Sequence, residues 1–206
     1  MNEKNLQPTT SQLEALSRLA ENAQELGLGY GDEDGLETWV VELSHWDKRG
    51  LELAGLVASW SKDPSTKVGC AIFSPEKTVL GVGFNGFPKN TDDSQILNMD
   101  RSRKLFRTIH AELNAINFSN GDLIGSTFYV THCPCSGCAA NIIQHKPSRV
   151  LAKLGPDSLN VDWLANMEEG VSMFNEAGIP LLFVNPRNQA YAITYSNYKR
   201  AASSRS

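Results

Sequence analysis

Cysteine is scarce in this 206-residue chain: Cys70, Cys133, Cys135 and Cys138 are all there is. Three of the four fall within six positions, too close together to form a disulfide framework for a domain of this size. In a reducing compartment such a cluster reads as metal or redox chemistry. Long apolar runs are missing, and none approaches the roughly 20 residues needed to span a bilayer. The opening segment Met1–Pro8 also lacks the basic-then-apolar layout of a secretory signal, so a cytoplasmic protein with no membrane association is expected. There is no surplus of positive charge either. Nineteen Lys and Arg stand against 23 Asp and Glu, a net charge of −4, which argues against stable binding to nucleic acid. Internal repeats are absent, and the one biased tract is a Ser/Ala/Arg tail at 201–206. What remains is an ordinary globular composition, 41% hydrophobic and 20% charged, on a length suited to one full domain.

The pattern of apolar residues divides the chain into an N-terminal extension (1–35), a main domain (36–190) and a C-terminal tail (191–206). Residues 1–9 read as disordered. Leu13, Leu16, Leu19, Ala23 and Leu26 then form a helical stripe that Thr10 or Ser11 can cap. The Gly/acidic stretch 27–35 ends it as a linker. A second helical pattern is expected from Leu36 to Trp60, with an interruption at Gly50. Strands are predicted over 68–73 and 78–84 as a hairpin, and over 127–131, 149–154 and 180–184. Helices are expected over 99–106, 109–118, 136–144 and 161–177. This alternation predicts an α/β domain of three layers, with a mixed and roughly five-stranded sheet that is parallel in its second half.

The chemistry sits in His110-Ala-Glu112 and Pro134-Cys135-Ser-Gly-Cys138. Cysteines three positions apart at a helix start project to one side and can share a metal ion. A histidine from another helix start brings the protein ligands to three and leaves the fourth position of a tetrahedral zinc for water, the arrangement of catalytic rather than structural sites. Both ligand sets fall at predicted helix N-termini, where the dipole favours thiolate. Glu112, two residues beyond the histidine, can reach that water without ligating the metal and move its proton. His-x-Glu with Pro-Cys-x-x-Cys is the signature of zinc nucleobase deaminases. A purely structural zinc site would need a fourth ligand. Cys133 is the nearest candidate, but it lies on the strand side of Pro134, and both Cys133 and Cys70 read as small buried hydrophobes.

Further stretches carry a narrower resemblance: Ser61-Lys-Asp-Pro-Ser-Thr-Lys-Val-Gly-Cys-Ala-Ile72, Gly81-Val-Gly-Phe-Asn-Gly-Phe-Pro88, His110-Ala-Glu-Leu-Asn-Ala-Ile116 and Pro134-Cys-Ser-Gly-Cys-Ala-Ala-Asn-Ile-Ile-Gln144. Over about residues 55–185 the chain resembles the deoxycytidylate (dCMP) deaminases. The resemblance implies a cytidine-deaminase-like fold, zinc on His110, Cys135 and Cys138, Glu112 as the catalytic acid–base, and hydrolysis of dCMP to dUMP and ammonia, feeding dTMP synthesis. It also implies a homo-oligomer (hexamer or dimer), activation by dCTP and inhibition by dTTP, with magnesium accompanying the triphosphate. A substrate pocket is expected from Lys62, Asp63, Asn85, Arg101, Lys104 and Ala111. Within it Asn85 would bond the sugar, and Lys104 and Arg101, in the basic segment before His110, would meet the phosphate. Of the other histidines, His132 could line the pocket, whereas His45 reads as helix packing.

The chain departs from the family pattern at Phe106-Arg-Thr-Ile109, at Gly155–Asn160 and in its N-terminal extension. Those differences bear on phosphate state and regulation, not on deamination. Other readings share the zinc elements. They are a deaminase of another cytidine nucleotide (dCTP, CMP or a modified form), a tRNA adenosine deaminase, and a non-catalytic zinc module. The acidic balance disfavours the tRNA reading, to which Tyr198-Lys-Arg200 and Arg205 lend slight support.

Overall fold

The computed structural model describes residues 37–92, 101–153, 161–184 and 191–196. In chain order the elements are β1 (Glu37–Glu42), α1 (His45–Ala58), β2 (Gly69–Phe73), β3 (Val79–Phe84), α2 (Arg101–Arg107), α3 (Ala111–Asn117), β4 (Thr127–Val130), α4 (Ser136–Gln144), β5 (Arg149–Lys153), α5 (Val161–Glu176), β6 (Leu181–Val184) and β7 (Tyr191–Ser196). The N-terminal helix and linker expected before residue 36 lie outside the described residues, as do the departure at 155–160 and the tail beyond 196. Among the described residues no helix is long and apolar enough to cross a membrane.

The strands form one mixed sheet in the order β1-β7-β6-β5-β4-β2-β3. The hairpin β2–β3 is antiparallel, as is the β2–β4 pair. The β4–β5 and β5–β6 pairs are parallel, as the intervening helices α4 and α5 require. The sheet is thus larger than the expected five strands, because β1 and β7 add an antiparallel pair at one edge.

Two elements differ from their sequence-based expectation. Residues 37–42 are a strand rather than the first turns of a helix, since Thr-Trp-Val-Val is β-branched and aromatic, suited to a pleated surface. The helix begins only where Ser44 caps it. The Ser44 hydroxyl accepts from the Asp47 N–H at 3.2 Å, and the Asp47 carboxylate accepts from the Ser44 N–H at 3.0 Å. Residues 191–196, placed in the tail by the sequence pattern, are the strand that bridges β1 and β6. Gly50 does not interrupt α1 either. A Cβ there would lie 2.4 Å from the Tyr129 ring, so the glycine is the gap into which that ring packs.

Helices cover both sheet faces. Leu51 and Ala54 of α1 pack with Ala71, Phe73, Tyr129, Leu151 and Leu182 on one side. Ala111 and Ala115 of α3, Ala139 and Ile142 of α4 and Phe174 of α5 pack with Ile72, Phe128, Val130, Val150 and Ala152 on the other. Together with the sheet these make the three expected layers. α3 lies almost directly on β3, because a Cβ on Gly83 would come within 2.2 Å of the Ala115 nitrogen and 2.3 Å of the Ala111 oxygen. Under α1, the buried Asp47 accepts from the Tyr129 hydroxyl at 3.0 Å and from Arg149 at 2.6 Å. The charge therefore leaves water only with its partners in place.

Candidate metal centre

α3 and α4 both start at the same end of the sheet, and each is capped by a residue whose side chain makes no capping bond. His110 is the N-cap of α3 and Cys135 that of α4, both with extended backbone. Their side chains turn toward each other instead. The Cys135 sulfur lies 3.4 Å from His110 Nδ1, and the Cys138 sulfur, one turn into α4, lies 3.3 Å from the same nitrogen. Among the described residues these three form a cluster of one imidazole and two thiols suited to a metal, with all ligand atoms within 4.8 Å of one another.

The spacing can be tested against zinc. Bonds of about 2.3 Å to sulfur and about 2.0 Å to nitrogen, at tetrahedral angles, set sulfur and nitrogen about 3.5 Å apart. The 3.3 and 3.4 Å separations fit that size. The donor set fits as well, since one imidazole and two thiols suit zinc. Protonation points the same way. The Cys138 thiol bonds to the Cys135 sulfur, which, with support from His110, holds Cys135 down to about 4 and leaves Cys138 high. The His110 pKa is raised, chiefly by its bond to Cys135. A cation coordinated there would favour the thiolate form of both sulfurs.

Glu112, in the first turn of α3, is buried beside the cluster, and that burial raises its carboxyl above the ordinary range. It lines a cleft together with His110, Ala111, Cys133 and Cys135. The opposite wall comes from Asp63, Ser65, Thr66, Val68 and Asn85, and α2 contributes Arg101, Lys104 and Leu105. Cys133 falls outside the metal triangle. Its sulfur approaches the Pro134 carbonyl at 3.7 Å, and burial pushes its thiol up to about 12.

The residues expected to bind substrate divide into groups. Asn85, Asp63, Ala111, Arg101 and Lys104 all reach the cleft, whereas Lys62 is exposed and does not line it. The Asn85 amide ties two segments together, accepting from the Val68 N–H at 2.8 Å and donating to the Thr66 carbonyl at 2.9 Å. The Lys104 ammonium donates to Asp63 at 2.9 Å and to the Ser65 hydroxyl at 3.1 Å. Thr66, Thr108 and Met167 also line the cleft. Met167 comes from α5, more than 50 residues beyond His110, and no local pattern announces it. Neighbouring Asn166 accepts from the Ser136 N–H at 2.7 Å, closing the end of α4 that carries the cysteines.

Residues 44–154 match the model of the cytidine and deoxycytidylate deaminase zinc-binding region. The chain belongs to the cytidine and deoxycytidylate deaminase family. It is therefore an enzyme of the zinc-dependent deaminase class. It is 40% identical over 142 residues to an uncharacterized deaminase from the luxG 3′ region of Aliivibrio fischeri, covering 69% of this chain and 95% of that one. A probable deoxycytidylate deaminase of Drosophila melanogaster is 38% identical over 122 residues, 53% of this chain and 60% of the fly protein. The dCMP deaminase of cyanophage S-TIM5, solved with dCMP and dUMP, superimposes with a TM-score of 0.52 at 20% identity, over 69% of this chain and 99% of the phage one. At that identity the likeness speaks for the fold of the deaminase domain.

Proposed function

We propose that this deaminase hydrolyses dCMP to dUMP and ammonia, with zinc held by His110, Cys135 and Cys138. The observation that carries the reading is the buried Glu112 carboxyl, set beside the His/Cys/Cys triangle at the floor of one cleft. The family and its members named deoxycytidylate deaminase support the substrate.

Zinc, when bound, supplies a Lewis acid that brings water toward ionisation near neutral pH. The remaining work falls to the chain's own side chains. Glu112, its affinity for a proton raised by burial, takes one from the attacking water and delivers it to ring N3. A second transfer through the same carboxyl releases the amine as ammonia. The Ala111 N–H, in the first turn of α3 where backbone donors lack helical partners, donates to the pyrimidine carbonyl. Asn85, whose amide spends one N–H on Thr66 and one lone pair on Val68, keeps a second N–H and a second lone pair for the sugar. Arg101, exposed at the cleft and mounted on α2, meets the phosphate. Homo-oligomer formation, nucleotide regulation by dCTP and dTTP and the accompanying magnesium rest on the family resemblance alone.

Ammonia release and loss of cytosine absorbance, measured with dCMP, CMP, dCTP, deoxycytidine and tRNA, test the substrate. Turnover is expected to be fastest with dCMP. Turnover of tRNA with none of any free nucleotide would overturn the reading.

A further inference from the structure

Lys104 faces the cleft, but its ammonium is already engaged. It donates to Asp63 Oδ1 at 2.9 Å and to the Ser65 hydroxyl at 3.1 Å, and both charged side chains are buried. The same Asp63 oxygen accepts from the Ser65 N–H at 2.8 Å and the Thr66 N–H at 3.2 Å, so it organises its own turn. From that turn the polar chain continues. Asp63 N–H donates to the Ser61 hydroxyl, which donates to the Asn85 carbonyl, while the Asn85 amide holds Thr66 and Val68. Next along the backbone, Gly86 exchanges two bonds with Ile109, at 2.8 and 3.1 Å, and Ile109 precedes His110.

The bonds close a ring. It runs from Lys104 on α2 through Asp63 and Asn85 to Gly86, across to Ile109, and back along the chain to Lys104. We infer that Lys104 is a positioning residue, latched to Asp63 to hold α2 and the 61–68 loop in register with His110, and that preference for a 5′-phosphate rests on Arg101 instead. Among the described residues, these two are the Lys and Arg side chains that line the cleft, and only the Lys104 charge is balanced by a buried carboxylate. The Asp63 carboxyl supports the pairing: burial pushes it up, yet the Lys104 hydrogen bond, the two backbone N–H groups and the Lys104 charge hold it below the ordinary range. Breaking such a pair from one side leaves an unmatched buried charge, so each single loss should disturb the whole ring.

The inference deepens the dCMP reading above and rests on it for its substrates. The test compares K104M, D63N, their double variant, K104R and R101A, each assayed for zinc content and for kcat and KM with dCMP and with deoxycytidine. K104M and D63N are expected to keep zinc and to lose kcat by about tenfold or more on both substrates alike, leaving the dCMP-to-deoxycytidine ratio unchanged. The double variant should be no worse than the poorer single one. K104R, which keeps the charge, should recover most of the rate. R101A should raise KM for dCMP about tenfold and leave deoxycytidine unaffected. A K104M loss at least tenfold larger for dCMP than for deoxycytidine, with D63N near wild type, would make Lys104 a phosphate ligand and overturn the latch. Should K104M not fold, K104R and D63N decide it: latching predicts recovery in the first and the rate loss in the second, and a D63N enzyme of wild-type rate contradicts it. If wild type turns over neither substrate, the functional reading fails separately. The latch then stands or falls on whether the K104M, D63N and double-variant melting temperatures are coupled or additive.

Discussion

Cys135 and Cys138 each bring a sulfur within 3.4 Å of one imidazole nitrogen, so removing either leaves two donors where the site needs three. Cys135→Ala and Cys138→Ala are therefore expected to purify with roughly a tenth of a zinc per chain or less, and to melt several degrees below wild type, because ligand and fold are coupled. Elemental analysis and calorimetry check both. Asp63 gives a pH-dependent counterpart. Its folded pKa lies below the unfolded value, so its stabilising contribution is complete above about pH 4 and disappears as pH falls through the folded value. D63N should melt below wild type at pH 7, with the gap closing under pH 4; a gap that widened in acid would contradict the sign. The metal triangle was legible in the sequence because a Cys-x-x-Cys at a helix start is a local pattern whose geometry follows from the helix itself. Lys104 was not. Its partner lies 41 residues away, so from sequence alone it read, with Arg101, as a phosphate ligand.

At the scale of single elements, α1 offers a matched pair of glycines. Gly50 lies against the Tyr129 ring, whereas nothing comes within 4 Å of a Cβ placed on Gly55. Gly50→Ala should therefore cost about 1–3 kcal/mol through overpacking. Gly55→Ala should add up to about 1 kcal/mol by helix propensity, a rise of about 2–4 °C in melting temperature. Opposite signs within one helix are the expected result of thermal melts, and like signs would refute this packing. These glycines also show why element boundaries were harder to read than element types. Gly50 resembles a helix breaker until Tyr129, 79 positions later, is seen to fill the space. The strand at 37–42 was masked by the amphipathic helix after it. Ser44 and Asp47, a capping pair spaced three apart, were the local signal that separates them. The strands β2 to β6 and the helices between them fell close to expectation, since each combines a clear period with flanking turn residues.

Across the whole molecule, the proposed zinc ligands come from the starts of helices that precede and follow β4, and their encounter depends on the sheet that orders those helices. A metal joining α3 to α4 should stabilise the domain as well as activate it. Removing zinc with a chelator is expected to lower the melting temperature and abolish turnover, and restoring zinc should recover both. Recovery of stability without activity would separate a structural site from a catalytic one. The measurement closest to the central claim follows dCMP in zinc-loaded wild type and Glu112→Ala side by side, with zinc per chain determined for each. Wild type should convert dCMP to dUMP with one ammonia released per product. Glu112→Ala should carry the same zinc and turn over about 100-fold to 10,000-fold more slowly. Activity in the variant within about tenfold of wild type would remove Glu112 from the mechanism, and a zinc-loaded wild type inert toward dCMP would contradict the account.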